Sequence, residues 1–316
     1  MKKRQDRGHG LDETDEALSD AGGALARAVA VEVERRLAEP LENGLHLVAT
    51  PIGNLGDITV RALATLARAD VICAEDTRHS RTLLAHYGIA APLRPYHEHN
   101  AEAERPRLLA LLEQGRSVAL ISDAGTPLIS DPGFKLVREA IERGFKVHAL
   151  PGPSAVLAGL AVAGLPTDAF LFLGFLPPRQ AARRARIEQL SKVPATLVLF
   201  EAPTRLADAL EDIGALLPAR TVVVARELTK RFEEVRRGTA SELADWARTG
   251  AAKGEVVVLV SPAVAGEVDD DAIEAELDRL LPAMSLRDAA RAIADATGAT
   301  RSHVYALGLK RKDQAE

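Results

Sequence analysis

Cysteine is nearly absent from this 316-residue chain: Cys73 is the single one, which excludes a disulfide framework and a cysteine metal site within the chain. Cys73 lies in the apolar run Val71 to Ala74, the setting of a buried, inert thiol rather than a nucleophile. No apolar run approaches the roughly 20 residues that a bilayer-spanning helix needs. Met1 to Asp20 is too charged for a secretory signal, and its acidic residues argue against a transit peptide. The cytoplasm is the expected location, with no membrane partner. Phosphate fingerprints are missing as well. No Gly-x-Gly-x-x-Gly follows the first strand and no Gly-x-x-x-x-Gly-Lys-Ser/Thr occurs, so dinucleotide and nucleoside triphosphate binding lack their usual loops. A Gly-x-Ser-x-Gly nucleophile elbow is absent too. Hydrolase and oxidoreductase readings thereby lose their main support. Net basic charge is also lacking: 40 Lys and Arg against 45 Asp and Glu leave -5, which by itself does not suggest nucleic acid.

What is present is a globular composition, 47% hydrophobic and 27% charged, long enough for one large domain or two ordinary ones. Local charge departs from the mean. Arg179, Arg183, Arg184, Arg186 and Lys192 cluster in one segment and Lys310, Arg311 and Lys312 in another. Such patches meet a polyanion or form solvated helix faces.

The chain is organised around Ser122 to Gly133, Ser-Asp-Ala-Gly-Thr-Pro-Leu-Ile-Ser-Asp-Pro-Gly. An apolar run, Val118 to Ile121, precedes it, and apolar residues at helical spacing follow from Phe134 to Glu142. A strand therefore enters a loop of small residues and leaves as a helix, with Asp131 as the expected N-cap and Pro132 in the first turn. In open α/β sheets, ligands bind at such carboxyl-end loops. Two further strands, Leu45 to Ala49 and Lys146 to Leu150, end in similar Pro- and Gly-rich loops, Thr50 to Asp57 and Pro151 to Ala155. Alternation of strands and helices predicts a mostly parallel sheet with covered faces and all three loops on one side of it.

Residues 1–43 read as a flexible extension, broken by Gly8, Gly10, Gly22 and Gly23, with one short helix from Ala24 to Leu37. An N-terminal α/β domain is expected over 44–176, with a boundary where Pro177-Pro178 interrupts the periodicity. A C-terminal mixed α/β domain follows over 177–264. Its runs Thr221 to Glu227 and Phe232 to Gly238 have no room for a helix between them and should pair antiparallel. After the acidic linker Glu267 to Asp271, residues 270–312 form a helical tail. Leu286 to Ala296 and Arg301 to Leu309 are spaced as a helix-turn-helix about Gly298, with Ser285 and Thr300 as N-caps.

Carboxylates stand at the mouth of the loops: Glu75, Asp76, Asp123 and Asp131. They suit a ribose hydroxyl or a cationic group such as a sulfonium, alongside backbone recognition by the loops. Each taken alone is more often a cap or a surface ion pair. The run His97-Glu98-His99 is a weak metal signal, and no metal site is expected.

Several segments resemble one family in register. They are Thr50-Pro51-Ile52-Gly53-Asn54-Leu55, Ala74-Glu75-Asp76-Thr77-Arg78, Ser122 to Gly133, Pro151-Gly152-Pro153-Ser154-Ala155, Gly174-Phe175-Leu176-Pro177 and Ala225-Arg226-Glu227-Leu228-Thr229-Lys230. Together they look like the motifs of the ribosomal small subunit methyltransferase I family of 16S ribosomal RNA (cytidine-2'-O)-methyltransferases, within the tetrapyrrole methylase superfamily. The likeness spans about Leu45 to Val260, and the tail resembles the family's helix-turn-helix. It implies a two-domain tetrapyrrole-methylase-like α/β fold, S-adenosylmethionine bound between the domains, a homodimer, and 2'-O-methylation of a cytidine in the decoding region of the small ribosomal subunit. Carried onto this sequence, it implies cofactor contacts from Pro51, Asp123, Ala124, Gly125, Thr126, Pro127, Leu128, Ile129, Ser154, Ala155, Phe200 and Leu228. Where many relatives have Tyr-Glu-Ser, this chain has Phe200-Glu201-Ala202, which removes two hydroxyls. Glu75, Asp76, Arg78, Glu227 and Lys230 are the catalytic candidates, with cleft-shaping ion pairs as the alternative role. Arg179, Arg183, Arg184 and Arg186 are the RNA-binding candidates.

Overall fold

The computed structural model of the chain describes residues 12–250, 252–263, 270–297 and 299–315. The chain divides into two compact units, one ending at Ala158 and one beginning at Gly159. The first carries α1 (Asp12–Ala38), β1 (Gly44–Val48), α2 (Val60–Arg68), β2 (Val71–Ala74), α3 (Thr77–His86), β3 (Leu93–Pro95), α4 (Ala101–Glu113), β4 (Ser117–Ile121), α5 (Phe134–Glu142) and β5 (Val147–Leu150). Helix α6 (Ala155–Ala163) crosses the division.

The first sheet has the order β3-β2-β4-β1-β5, and every pairing in it is parallel. Strands β2 and β4 are buried along their whole length, as a strand covered on both faces requires. Alternation along β4 divides the core: Val118 and Leu120 join Leu45, Cys73, Leu108 and Leu136 on one face. Ala119 and Ile121 join Val48, Leu66, Ile72 and Ala74 on the other. Burial pushes the Cys73 thiol up to about 12, so it is inert as its sequence setting implied.

The second unit carries β6 (Phe170–Phe175), α7 (Gln180–Gln189), β7 (Thr196–Glu201), α8 (Leu206–Leu216), β8 (Val222–Arg226), β9 (Glu234–Gly238), α9 (Ala240–Arg248) and β10 (Val256–Val260). Its sheet order is β6-β7-β10-β8-β9. The β6 and β7 pair is parallel and the others antiparallel, including the expected β8 and β9 pair. The tail is three helices, α10 (Asp270–Leu280), α11 (Leu286–Thr297) and α12 (Arg301–Ala315), around Ile273, Leu277, Ile293, Val304 and Leu307. Ser285 caps α11 through Asp288 N, and Thr300 accepts from His303 N.

Several expectations need correction. The N-terminal segment is helical over Asp12–Ala38, well beyond Ala24 to Leu37, and runs through Gly22 and Gly23. Ion pairs of Arg35 and Arg36 with Glu32 and Glu39 brace its last turns. The Arg68 guanidinium on α2 also holds the Leu37 carbonyl at 2.6 Å. Residues 1–11, the stretch 267–269 and Gly298 lie outside the described residues. Phe170–Phe175 was not read as a strand; because it pairs with β7, the division falls before it rather than at Pro177. Helix α9 has no counterpart in the sequence reading, whereas α10 falls within the expected helical tail. Asp131 does not cap α5: Gly133 holds that position, at φ 133° and without a side-chain cap.

Two basic residues turn inward. Arg183, expected to face RNA, is 4% exposed and donates from Nε to the Asp212 carboxylate of α8 at 2.7 Å. Arg184 Nη1 reaches the other Asp212 oxygen at 3.1 Å. In the tail, Arg311 is paired with Glu274 and Asp278. Removing one partner of a buried pair leaves an uncompensated charge. Asp212→Ala should therefore cost about 3–5 kcal/mol in urea unfolding, and a loss under about 1 kcal/mol would show that the pair does not hold α7 to α8.

Candidate functional site

In the first sheet β1 lies between β4 and β5, with Val48 level with both Ile121 and Leu150. The loops that follow these three strands therefore leave the same edge side by side. Thr50, just past β1, joins the first two: its N–H donates to the Gly125 carbonyl at 2.9 Å and its own carbonyl accepts from Gly125 N at 3.0 Å. The Thr50 hydroxyl donates to the Ser122 carbonyl at 2.9 Å. Thr126 Oγ1 joins the second loop to the third by donating to the Pro153 carbonyl at 3.2 Å.

Gly125 suits its dihedral, and the space around it is tight. It sits at φ 85°, and a Cβ there would stand 3.3 Å from Ile52 Cγ2 and 3.6 Å from the Pro153 carbonyl oxygen. Leu128 and Ser130 hold φ values of 74° and 68° without being glycine, an uncommon backbone that costs energy and collects at functional sites. Among the described residues, no backbone hydrogen bond of good geometry engages residues 127–132. Gly133 ends the loop where a Cβ would lie 2.7 Å from Leu120 and Leu128 methyls. Ile129 is exposed and Pro127 buried, while Asp123, Thr126 and Leu128 are half-buried. Pro51, Asp123 to Ile129, Ser154 and Ala155 thus gather on one edge. The Ser154 hydroxyl accepts from Leu157 N at 3.4 Å, and Ala155 begins α6.

Carboxylates line the neighbouring exit of β2. Asp123 Oδ1 accepts the Asp76 N–H at 3.0 Å. Burial raises the Glu75 carboxyl above its ordinary value, and the charges of Asp131 and Asp123 push it the same way. Burial also raises Asp131. Asp76 is held far below the carboxylate range by the Arg78 guanidinium and the Arg78 N–H. Its side chain is the N-cap of α3, and Arg78 is 87% exposed. Asp76 and Arg78 thus have structural employment that Glu75 lacks.

In the second unit, β7 and β8 both pair antiparallel with β10, and Val256 is level with Glu201 and Arg226. Phe200 and Leu228 therefore stand on one edge of that sheet. The Phe200 ring meets Phe172 and Phe175 edge-on at 4.9 and 5.8 Å. Leu228 is buried between Glu227 and Thr229, at φ 51° and 65°. Glu227 Oε1 accepts Lys230 Nζ at 2.8 Å and Glu255 N at 3.0 Å. The lysine bond holds Glu227 below its ordinary value. Burial pulls Lys230 down, but Glu227 and Glu255 outweigh it and its value rises. Arg179 and Arg186 on α7 are exposed, Arg184 is 43% exposed, and Arg183 is withdrawn as described. His97 and His99 meet edge-on at 6.0 Å. Among the described residues, no group of three or more His, Cys, Asp or Glu side chains forms a metal cluster. Sequence reading missed Thr50 as a site residue, although a buried Thr between an apolar strand and a Pro-Ile-Gly loop was visible.

Residues 44–244 match the family model described as Tetrapyrrole (Corrin/Porphyrin) Methylases, and residues 267–312 match the RsmI C-terminal HTH domain. Helix α1 precedes both. The chain is 52% identical over 285 residues to ribosomal RNA small subunit methyltransferase I of Mesorhizobium japonicum, covering 87% of this chain and 95% of that protein. It is 46% identical to the Pseudomonas aeruginosa protein of the same name, covering 86% and 98%. For the Escherichia coli O157:H7 protein the identity is 43% and the coverage 88% and 99%. Among solved structures, cobalt precorrin-4 methyltransferase superposes with a TM-score of 0.54 at 21% identity, covering 69% of this chain and 94% of that one. Diphthine synthase gives 0.52 at 17%, covering 69% and 89%. These two share the fold. The chain belongs to the tetrapyrrole methylase family, in its ribosomal RNA small subunit methyltransferase I branch.

Proposed function

We propose that this chain methylates 16S ribosomal RNA in the small ribosomal subunit, transferring the methyl of S-adenosylmethionine to the ribose 2'-hydroxyl of a cytidine in the decoding region. It would act in the cytoplasm as a homodimer. The observation that carries the reading is the set of near full-length relatives at 43–52% identity, all named ribosomal RNA small subunit methyltransferase I.

The loop geometry fits the cofactor. A cradle of backbone with free groups at 127–132, a glycine at positive φ in a tight space, and carboxylates beside it suit a cationic, ribose-bearing molecule. Asp123, Ala124, Gly125, Thr126, Pro127, Leu128 and Ile129 would hold it, with Pro51, Ser154 and Ala155 from the adjoining loops. Phe200 and Leu228 are the second unit's proposed contacts. When bound, the cofactor supplies an electrophilic methyl on a sulfonium. The protein then has to align a hydroxyl for in-line attack, so positioning carries much of the rate. Glu75 is the best placed of the catalytic candidates to take a proton, because a raised carboxyl is a stronger base and among the described residues it has no cap or ion pair to maintain. Asp76, Arg78, Glu227 and Lys230 shape the surface through their pairs. Arg179, Arg184 and Arg186 would neutralise phosphates.

Incubation with labelled S-adenosylmethionine and small subunits should place label on cytidine ribose. Label on an added porphyrinogen, or none on RNA, would overturn the reading. Gly125→Val should weaken cofactor binding more than about tenfold while the far-ultraviolet spectrum stays native; unchanged affinity would remove the loop from the site. Glu75→Gln should lower turnover by about 10²-fold or more, whereas Asp76→Ala should lose about 1 kcal/mol of stability, as for a cap. Equal turnover of the Glu75→Gln variant and the wild type would exclude Glu75 as the base. Replacing Arg179, Arg184 and Arg186 by Ala together should flatten the log affinity against log salt slope by about 2, roughly 0.7 per phosphate. An unchanged slope would clear α7 of RNA contact.

A further inference from the structure

We infer that Thr50 is a positioning residue for the cofactor loop: its buried hydroxyl fixes the loop base from which residues 126–132 project. The inference rests on the proposed cofactor site and adds a residue outside its contacts. Thr50 is 1% exposed. It spends its side chain and both backbone groups on the loop's first four residues, through Oγ1 to Ser122 O, N to Gly125 O, and O from Gly125 N. The side-chain bond spans 72 residues of sequence. Ser122 passes the restraint on, because its own hydroxyl donates to Ala124 O at 3.0 Å and accepts from Ala124 N at 3.1 Å.

Beyond Gly125 the loop is held by few bonds, one of them from the Ser122 side chain to the Asp131 carboxyl. Residues 127–132 are without a good backbone bond among the described residues, yet Leu128 and Ser130 occupy left-handed backbone. Such conformations persist only where the surroundings over-determine them. The surroundings here are the Thr50 base, the Thr126 bond to Pro153 and the packing at Gly133. Without the hydroxyl, the buried Ser122 carbonyl loses its partner and the loop base is free to rotate. A ligand that binds the loop must then supply the ordering itself, and affinity falls.

The test compares Thr50→Val, which keeps the shape and removes the hydroxyl, with Thr50→Ser, which keeps the hydroxyl. Thr196→Val serves as a matched control, since Thr196 is buried and donates to the Pro166 carbonyl at 2.6 Å in the second unit. Calorimetry with S-adenosylmethionine should give a dissociation constant about tenfold weaker for Thr50→Val, the equivalent of one hydrogen bond. KM for the cofactor should rise in step while kcat at saturating cofactor stays within about twofold. Thr50→Ser should recover wild-type affinity. Thr196→Val should lower Tm and leave affinity unchanged. Amide hydrogen exchange without ligand should quicken at 126–132 in Thr50→Val alone. Wild-type affinity and exchange in Thr50→Val would overturn the inference, as would equal loss of affinity in Thr196→Val. A wild-type protein that does not bind the cofactor, but whose loop loosens in Thr50→Val, would sink the cofactor reading and leave Thr50 as the loop's anchor.

Discussion

The parallel ladder that seats β1 between β4 and β5 is the constraint on which the candidate site depends. Hydrogen-bonded neighbours in a sheet lie about 4.8 Å apart. With Val48, Ile121 and Leu150 level, three loops must leave one edge at that spacing. Side chains as short as threonine then reach from one loop to the next, as Thr50 and Thr126 do. The same spacing favours small residues: at Gly125 a single added carbon already presses on Ile52 and touches Pro153. Loop composition is thus a consequence of strand order.

Charge follows the same geometry. Strand β2 pairs with β4, so Glu75 leaves the sheet next to Asp123 and Asp131, and among the described residues none of the three has an ion pair. Their mutual repulsion shows in Glu75, which burial and both aspartates push upward. In the second unit the comparable carboxylates, Glu227 and Glu255, share Lys230 as a cationic partner. Uncompensated negative charge is therefore a property of the first unit's loop edge. It favours a cationic ligand there, since partial burial limits screening.

Much of this was legible in the chain. Apolar runs of four or five residues followed by Pro- and Gly-rich turns located β1, β4 and β5, and a parallel sheet put their loops on one side. Adjacent runs without room for a helix located β8 and β9. The losses have physical causes. Phe170–Phe175 is as apolar as a core strand but largely exposed along one edge, so its place was set by its partner β7 and not by its own pattern. Gly22 and Gly23 weaken a helix locally by about 1 kcal/mol each, yet the helix runs through them, its last turns carrying ion pairs and the Arg68 bond. The Asp131 cap failed because the loop closes on Gly133, whose φ of 133° no aspartate would readily adopt.

The arginines of α7 show where sequence reading reaches its limit. Arg179, Arg183, Arg184 and Arg186 look alike as a cluster, and only a residue on another helix separates them. Asp212 lies 29 positions beyond Arg183 and is 1% exposed. A buried carboxylate of that kind needs compensation, and it draws in Arg183 wholly and Arg184 in part. The tail repeats the pattern, with Glu274 and Asp278 taking Arg311 from its basic run. Each basic segment therefore presents less charge outward than its residue count implies. The charge presented outward at α7 and its N-cap rests on Arg179 and Arg186, with Arg184 shared between Asp212 and solvent.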